Sequence, residues 1–294
     1  MRGAGRFVEI GDRVLFARYP QWDVSVGLVL GSERALVVDT RGSEVQGREA
    51  VEDVTRLALP VPVTVVVNTH VHYDHTFGNR AFNSATIHAH ERVGQTFDAD
   101  AERLKDRFRA DPEPGPGASY SAEDVRDLLE TVPRGPDVTF ATTASVDLGD
   151  RVVHLAHAGR GHTDGDIRIW VPDAGVVFLG DLIEESADPS LGSDSWPLDW
   201  AATLDRHLSA VPPEAVVVPS HGTLVDTAFV ARQRDEMAAL AEVIRERHAT
   251  GVPLAAAEAE PDVRLPYPLP WLADAFARGY AQLSGDLRPR PDQQ

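Results

Sequence analysis

The chain has 294 residues, of which 46 are acidic and 28 are basic, so its formal net charge is −18. This balance excludes a nucleic-acid-binding protein with a broad basic surface, because such proteins neutralise phosphates with Lys and Arg. It also argues against binding to an anionic membrane surface. Cysteine is absent, which excludes disulfides, thiolate metal ligands and a cysteine nucleophile.

The composition predicts an ordinary globular protein. Apolar residues make up 43% of the chain and charged residues 25%, values that are typical of folded domains. The N-terminal residues contain no apolar segment typical of a signal peptide, and no run of about 18 apolar residues occurs anywhere. We therefore expect one domain over residues 1–294, located in the cytoplasm and without a membrane partner.

Short apolar runs predict five strands and one helix in the first third of the chain. The strands are expected at residues 7–19, 24–30, 35–39, 61–68 and 85–89, and the helix at 43–59. The runs at 35–39 and 61–68 are almost continuously apolar and rich in Val, a pattern typical of buried strands.

The middle of the chain is more polar and predicts helices. Residues 91–110 are compatible with a helix, residues 111–119 contain several Pro and Gly, and residues 121–132 restart a helix after a capping pattern. We name residues 97–137 the helical insertion. Two interpretations of it are open: a lid that contacts substrate, or an exposed helical hairpin with a loose loop.

The last part of the chain returns to strands and then to helices. Strands are expected at residues 151–156, 167–172, 176–179 and 215–219, and helices at 199–210, 227–248 and 271–282. Residues from about 226 to 294 thus form a helical C-terminal segment. The order of strands, helix and strands occurs twice, which suggests two similar layers that face each other.

The segment 68–75 carries the strongest chemical signal, because it contains three histidines and a carboxylate in eight residues. His70 and His72 are two apart, so in an extended segment both side chains point the same way and can bind one ion. Asp74 and His75 follow at once and can bind a second ion. Imidazole and carboxylate are ligands that Zn²⁺ accepts.

Three further residues of ligand type each follow a predicted strand. His162 follows the strand at 151–156, Asp181 follows the strand at 176–179, and His221 follows the strand at 215–219. A small residue, Gly or Ser, precedes each of them. Ligands gathered at the ends of several strands form a preorganised site in a cleft.

The ordered motifs H-x-H-x-D-H, G-H-T, G-D and S-H-G resemble those of the metallo-β-lactamase superfamily of binuclear metallohydrolases. The resemblance extends from Asp39 to His221 and implies an α/β (α+β) fold, a four-layer αββα sandwich with the metals between two sheets. It implies that one metal is bound by His70, His72 and His162. The second metal would be bound by Asp74, His75 and His221, with Asp181 as the bridge, and Asp39 would lie behind the ligands and orient them.

The resemblance also implies a reaction. Two ions, expected to be Zn²⁺ with iron or manganese as alternatives, share a water, lower its pKa and so supply hydroxide at neutral pH. The hydroxide attacks the carbonyl group of an ester, lactone, thioester or amide. Asp74 is the candidate catalytic residue that orients this hydroxide and moves a proton. The expected partner is a small-molecule substrate, and the oligomeric state is not predicted.

Alternatives within the superfamily stay open. The bridging Asp181 resembles the glyoxalase II and lactonase branches more than true β-lactamases, which usually lack a bridging carboxylate. A nuclease branch fits poorly with the net charge of −18. A mono-iron sulfur (persulfide) dioxygenase keeps the same motif residues, so only the identity of the metal separates it from a zinc hydrolase.

Residues outside these motifs give weaker signals. The candidates for the border of the substrate pocket are Tyr73, Arg160, Trp196 and Trp200. The acidic surface should attract anionic substrates only weakly, unless Arg160 or another arginine forms a local positive patch. Structural roles are expected for His88, His90, His154 and His157, and surface positions for His207 and His248.

Overall fold

The computed structural model describes residues 7–115 and 118–286. Both ends of the predicted domain, residues 1–6 and 287–294, and two residues of the helical insertion, 116 and 117, lie outside the described residues.

The first sheet has seven strands, which lie side by side in chain order. They are β1 (Val8–Gly11), β2 (Val14–Arg18), β3 (Ser25–Leu30), β4 (Ala35–Val38), β5 (Val63–Val67), β6 (Thr86–His90) and β7 (Val138–Phe140). Strands β1 to β4 pair antiparallel, whereas β4 to β7 pair parallel. The carboxyl ends of β4, β5 and β6 therefore meet at one edge.

The second sheet has five strands in the order β12-β11-β10-β9-β8. They are β8 (Thr143–Asp147), β9 (Val152–Ala156), β10 (Arg168–Val171), β11 (Val176–Glu184) and β12 (Val216–His221). The helices are α1 (Glu44–Arg56), α2 (Tyr73–Thr76), α3 (Glu91–Ala110), α4 (Ala122–Glu130), α5 (Trp200–Leu208), α6 (Thr227–Ala249), α7 (Leu254–Ala259) and α8 (Leu269–Ser284).

Three apolar clusters show how these elements are layered. Between the sheets, Val38 and Val67 of the first sheet pack with Leu155, Ile169 and Phe178 of the second. The outer face of the first sheet packs against α1, and the outer face of the second packs against α5, α6 and α8. The described residues thus form the four-layer αββα sandwich, and the predicted fold class is confirmed.

Most predicted elements are present, with differences where local geometry overrides the pattern. The single strand expected at 7–19 is the two strands β1 and β2, because the chain turns at Arg13, which has a left-handed backbone (φ 55°). The strand expected at 176–179 extends to Glu184, so Asp181 lies inside β11 rather than after it. The short elements β7, β8 and α7 were not predicted.

The helical insertion contains the second half of α3 and all of α4. Ser121 and Asp124 form a reciprocal capping box at the start of α4, as the sequence predicts. An apolar cluster joins Phe108 of α3 and Leu128 of α4 to Trp22, which lies between β2 and β3 of the first sheet. The insertion therefore packs on the body of the protein. Whether it moves as a lid stays a prediction.

Among the helices of the described residues, none combines the length and the apolar composition that crossing a bilayer requires.

Candidate metal centre

The histidine-rich segment lies at the edge where the parallel strands of the first sheet end. Strand β5 ends at Val67, and the chain then bends through residues 69–71 before α2 begins. His70 lies in this bend, whereas His72 has an extended backbone (φ −62°, ψ 151°), so the two residues do not share the extended segment that was expected. The two rings nevertheless meet, with centroids 4.7 Å apart, because the bend turns both side chains toward the second sheet.

The second sheet supplies the other three side chains. His162 lies in the bend between β9 and β10, Asp181 lies in β11, and His221 ends β12. The pairing of β11 with β12 shifts register at Gly180. Gly180 has a left-handed backbone (φ 60°), and a Cβ atom there would lie 2.9 Å from Cβ of Thr69. A glycine before Asp181 thus permits the close approach of the two sheets.

Seven side chains of ligand type converge in two groups. Within each group, one potential ligand atom per residue lies within 4.8 Å of the others; the groups are His70, His72, His162 and Asp181, and Asp74, His75 and His221. Asp181 also contacts the second group, since its carboxylate oxygens lie 3.3 Å from Nε2 of His75 and 3.3 Å from Nε2 of His221. Its position between the groups is compatible with a bridge.

Each of the five histidines has one nitrogen fixed by a hydrogen bond on the outer side of the cluster. These bonds join His70 Nδ1 to Thr69 Oγ1 (3.1 Å), His72 Nε2 to Asp194 Oδ2 (2.8 Å), His75 Nδ1 to Asp39 Oδ2 (3.0 Å), His162 Nδ1 to the Ser190 carbonyl (3.0 Å) and His221 Nδ1 to the Trp22 carbonyl (3.1 Å). Such bonds fix the ring orientation and direct the other nitrogen of each ring into the cluster. In His72 and His162 these inner nitrogens, Nδ1 and Nε2, lie 2.8 Å from each other.

The inner atoms of the cluster fit a metal pair. Nε2 of His70, Nε2 of His75 and Oδ1 of Asp181 are fully buried and have no hydrogen-bond partner among the described residues. Buried polar atoms are rarely left without a partner, since an unpaired group costs about 1–3 kcal/mol. These three atoms belong to the two groups of ligand-type side chains, and unpaired imidazole nitrogens and carboxylate oxygens of this kind are what cations of the Zn²⁺ type bind.

Asp39 supports the cluster from the end of β4. Its Oδ1 accepts from the Thr69 amide and its Oδ2 from the Thr69 hydroxyl, both at 2.8 Å, in addition to the bond with His75. It has a left-handed backbone (φ 59°), a conformation that costs free energy in a non-glycine residue. The carboxylate thus links the segment 68–75 to the next strand.

The electrostatics of the cluster favour a positive charge at its centre. Burial lowers the pKa of His221, but Asp181 outweighs burial and raises this pKa to about 10. Burial likewise lowers the pKa of His72, and Asp194 raises it to about 9. Burial alone would raise the pKa of Asp181, yet the surrounding histidines hold it well below its usual value. The carboxylates therefore stabilise cations among them.

The cluster opens into a cavity of about 890 Å³. Its floor contains His72, Asp74, His162, Asp181 and His221, and one wall is formed by Trp22, Tyr73, Arg103, Arg107 and Tyr120. The indole of Trp22 stacks on Tyr120 with ring centroids 3.8 Å apart and meets Tyr73 edge-on at 5.0 Å. A floor of ligand-type side chains and an aromatic wall thus share one cavity large enough for a small molecule.

Of the four candidates for the pocket border, the structure places Tyr73 in this wall and the other three elsewhere. Arg160 stacks on Trp196 at 3.7 Å, and both line a separate depression beside His157. Trp200 is fully buried in the core, where its Nε1 donates to the Leu182 carbonyl. Trp196 and Trp200 do not line the cavity, because their contacts anchor this segment to the body of the protein.

The remaining histidines are structural, with one correction. His90 caps α3 and stacks on His157 with ring centroids 4.0 Å apart, and His154 is exposed. His207 is buried rather than on the surface, because it lies on the face of α5 that packs against the second sheet.

Several residues around the cavity escaped the sequence analysis. Trp22 and Tyr120 are distant in the chain, and no local pattern links them. Asp194 lies two residues before Trp196, a candidate for the pocket border, and the carboxylate of Asp194 is what contacts the cluster. Glu184 faces the cavity at the end of β11, and burial raises its pKa to about 8.

Comparison with known families decides the classification. The sequence profile of the Metallo-beta-lactamase superfamily matches residues 19–221. The chain belongs to this superfamily. The matched span begins just after β2 and ends at His221, so it contains every side chain of the cluster.

Characterised relatives of this protein carry the names of hydrolases. Metallo-beta-lactamase type 2 of Bacillus cereus is 24% identical over 72% of each chain. Human acyl-coenzyme A thioesterase MBLAC2 is 27% identical over 74% of this chain and 75% of the relative. A hydroxyacylglutathione hydrolase of Rhodospirillum rubrum is 29% identical over 54% of this chain and 48% of the relative.

Solved structures confirm the fold. The metallo-beta-lactamase from Pontibacter korlensis aligns with a TM-score of 0.58 at 21% identity, covering 80% of this chain and 99% of its own. The sec-alkylsulfatase Pisa1 from Pseudomonas sp. aligns with a TM-score of 0.73 at 17% identity and covers 98% of this chain. This chain spans about half the length of that sulfatase, 52%.

Proposed function

We propose that this protein is a binuclear, zinc-dependent hydrolase that attacks the carbonyl group of a small-molecule ester, lactone, thioester or amide. The observation that carries the proposal is the convergence of seven ligand-type side chains, some of whose inner atoms are buried without a partner. Membership of the superfamily and the hydrolase names of its relatives support the reaction class.

In this proposal the ligands divide as the two groups do. His70, His72 and His162 would hold one ion, Asp74, His75 and His221 would hold the other, and Asp181 would serve both. Two bound zinc ions would supply hydroxide at neutral pH and polarise the substrate carbonyl. The rigid hydrogen bonds behind the histidines keep the ligand atoms in place, so little reorganisation is needed during the reaction.

Asp74 is the residue we propose to move a proton. Its Oδ2 lies 3.4 Å from Nε2 of His75 and 3.4 Å from Nε2 of His221. Burial raises the pKa of Asp74, but His75 outweighs burial and keeps it below its usual value. Asp74 is thus a carboxylate at neutral pH, at the cavity floor, where it can accept a proton from attacking water and return it to the leaving group.

The cavity favours a thioester or ester over a β-lactam in this proposal. Asp181 lies between the two groups, as in the glyoxalase II and lactonase branches that the sequence resembles. The aromatic wall of Trp22, Tyr73 and Tyr120 offers a flat apolar surface for an acyl group. A β-lactamase activity is therefore the less favoured outcome, and it is included in the test.

The test combines elemental analysis of the purified protein with hydrolysis of a panel of esters, lactones, thioesters and a β-lactam. We expect about two zinc ions per chain and hydrolysis of at least one thioester or ester. Asp181→Ala and His72→Ala should lose metal and activity. His154→Ala is the matched control, because His154 is an exposed histidine on β9 away from the cluster.

Three results would contradict the proposal. A protein with about one iron per chain, oxygen uptake on a persulfide and no hydrolysis would be a dioxygenase. Efficient cleavage of the β-lactam alone would make it a β-lactamase. Full activity in Asp181→Ala would remove the second metal position from the mechanism.

A further inference from the structure

Helix α3 presents two arginines to the cavity that contains the metal-ligand candidates. Arg103 and Arg107 are four residues apart, so they lie on the same face of the helix, and both line the cavity. The protein as a whole has a net charge of −18. The wall of the cavity is thus locally basic in a molecule that is otherwise strongly acidic.

The arginines on either side of Arg107 are engaged by carboxylates. These ion pairs are Arg103 with Asp100 and Asp194, at 2.9 and 3.8 Å, and Arg109 with Asp106, at 2.6 Å. Arg107 forms no ion pair with any residue of 7–115 or 118–286, and its guanidinium lies 6.0 Å from the centre of the Phe108 ring. It is an exposed cation at the cavity, and the described part of the chain supplies it with no ion-paired carboxylate.

Arg107 borders the aromatic part of the wall. Arg107 and Tyr73 line the same cavity, and the centre of the Phe108 ring lies 6.0 Å from the Arg107 guanidinium and 5.8 Å from the centre of the Tyr73 ring. Tyr73 and Phe108 both meet Trp22 edge-on, with ring centroids 5.0 and 5.7 Å away. A cation and a flat apolar surface are therefore adjacent, beside the residue that directly precedes Asp74.

We propose that Arg107 binds an anionic group of the substrate, a carboxylate or a phosphate, while the aromatic wall packs against its apolar body. This inference rests on the proposed hydrolase function and narrows its substrates to carbonyl compounds that carry a negative charge. A planar guanidinium binds carboxylate and phosphate oxygens with paired, charge-assisted hydrogen bonds. The carboxylates around the cavity repel anions, so an anionic substrate needs a point cation of this kind to enter.

The negative charge has two possible sources in a thioester, the acyl group or the thiol. Three substrates separate them: butyryl and succinyl thioesters of the neutral thiol N-acetylcysteamine, and butyryl-coenzyme A. Butyryl and succinyl groups have the same chain length and differ in the terminal carboxylate, whereas coenzyme A places phosphates on the thiol. Kinetics are measured with the metal-loaded enzyme as purified, at low and high salt.

We expect Arg107→Gln to raise KM for one of the two anionic substrates about tenfold or more, because a charge-assisted hydrogen bond is lost. The KM for neutral butyryl-N-acetylcysteamine should stay within about twofold, a change equivalent to less than half a kcal/mol. Arg107→Lys should restore part of the loss. Arg109→Gln is the matched control, since Arg109 is on the same helix, is exposed and does not line the cavity. High salt should reduce the preference of the wild type for the anionic substrate over the neutral one, because salt screens the charge of Arg107. The same change in salt should leave the ratio of the two KM values in Arg107→Gln unaltered.

A binding measurement keeps this test separate from the hydrolase proposal. Calorimetry with non-hydrolysable thioether analogues of the same substrates reports affinity without turnover. If no substrate is hydrolysed but Arg107→Gln weakens the anionic analogue selectively, the anion site stands and the proposed function fails. The opposite result is hydrolysis of thioesters by an Arg107→Gln variant whose KM for each anionic substrate, relative to KM for the neutral substrate, equals that of the wild type. In that case the anion site fails and the proposed function stands.

Discussion

The floor and the wall of the cavity are built in different ways. The floor side chains come from strand ends and from bends directly attached to them, and each histidine is fixed from behind by a hydrogen bond. The wall comes from α3, from the loop before α4, from Trp22 and from Tyr73 at the start of α2, and it is held by aromatic contacts. The floor therefore has one arrangement fixed by directional bonds, whereas the wall is fixed mainly by packing.

This difference indicates that the floor and the wall have separate roles in metal binding and in substrate recognition. Directional hydrogen bonds to two sheets hold ligand atoms within the narrow range of geometry that a metal needs. A wall of stacked rings and exposed arginines tolerates substitution without disturbing the floor. Changes in the floor should then alter metal binding and turnover, and changes in the wall should alter substrate preference.

The largest expected effect is at Asp181, which lies between the two ligand groups. Asp181→Asn keeps the shape of the side chain but removes its charge, so we expect loss of metal and a fall in kcat of about a thousandfold or more. Elemental analysis and steady-state kinetics measure both effects, with Asp98→Asn on the surface of α3 as the control. Metal content and kcat that match the wild type would show that the floor is not a bridged metal site.

A buried histidine outside the floor sharpens the comparison. Both ring nitrogens of His207 lack a hydrogen-bond partner among the described residues, as do the inner nitrogens of His70 and His75 in the floor. Unlike those two residues, His207 has no carboxylate among the described charged groups that affect its pKa. Burial, together with the positive charges of Arg168, His157 and Arg206, lowers the pKa of His207 to about 3. It should therefore be neutral and should bind no metal.

The sign of its effect on stability follows from that pKa. Between pH 6.5 and 3 the unfolded chain takes up a proton at His207 that the folded chain does not, so acid favours unfolding. Between pH 7 and pH 4 the free energy of unfolding falls in the wild type. We expect it to fall by less in His207→Gln, with a difference of up to about 3 kcal/mol. Urea unfolding at pH 7 and pH 4 measures this, and His154→Gln should behave as the wild type. An equal decrease in the free energy of unfolding in the wild type and in His207→Gln would contradict the low pKa assigned to His207.

A smaller effect on the floor is expected at Asp194. Its Oδ2 accepts a hydrogen bond from His72 Nε2 at 2.8 Å, and His72 in turn holds the pKa of Asp194 below its usual value against the effect of burial. Asp194→Asn should weaken metal binding about 10- to 100-fold, the range seen when such supporting carboxylates are removed.

Competition with a chelator measures the change in affinity for Asp194→Asn. Asp188→Asn is the control, because Asp188 is an exposed aspartate of the same loop and does not line the cavity. An affinity in Asp194→Asn equal to that of the control would mean that Asp194 does not support the ligand.

The smallest effect is expected in the wall. Tyr120→Ala removes the ring that stacks on Trp22 and should raise KM for thioesters of long or aromatic acyl groups about threefold to tenfold, the equivalent of about 1 kcal/mol. Metal content and kcat should not change. A variant that loses metal instead would show that wall and floor are coupled, and would break the comparison from which these predictions come.

The sequence predicted the floor well because its chemistry is local. His70, His72, Asp74 and His75 lie within one segment, and the strand-end positions of His162 and His221 follow from apolar runs followed by small residues. The prediction was least accurate for geometry. His70 lies in a bend rather than in an extended segment, and Asp181 lies within β11, because the strand continues past the register shift at Gly180.

The wall could not be predicted in the same way. Trp22 and Tyr120 are brought together by the packing of the insertion on the first sheet, and Arg107 resembles any other arginine of α3 until its neighbours are known. Trp196, Trp200 and Arg160 had the right chemical character for a pocket. Their contacts with the body of the protein direct them away from the cavity.

The sequence by itself determined the fold family, the two facing sheets and the candidate metal ligands, because these depend on periodic burial and on residue types at short spacing. The tertiary structure decided which ring nitrogens face inward, which arginine of the cavity wall has no ion-pair partner among the described residues, and which aromatic rings form the wall. These features depend on contacts between residues that are far apart in the chain, and side-chain direction at such contacts is set by packing rather than by local pattern.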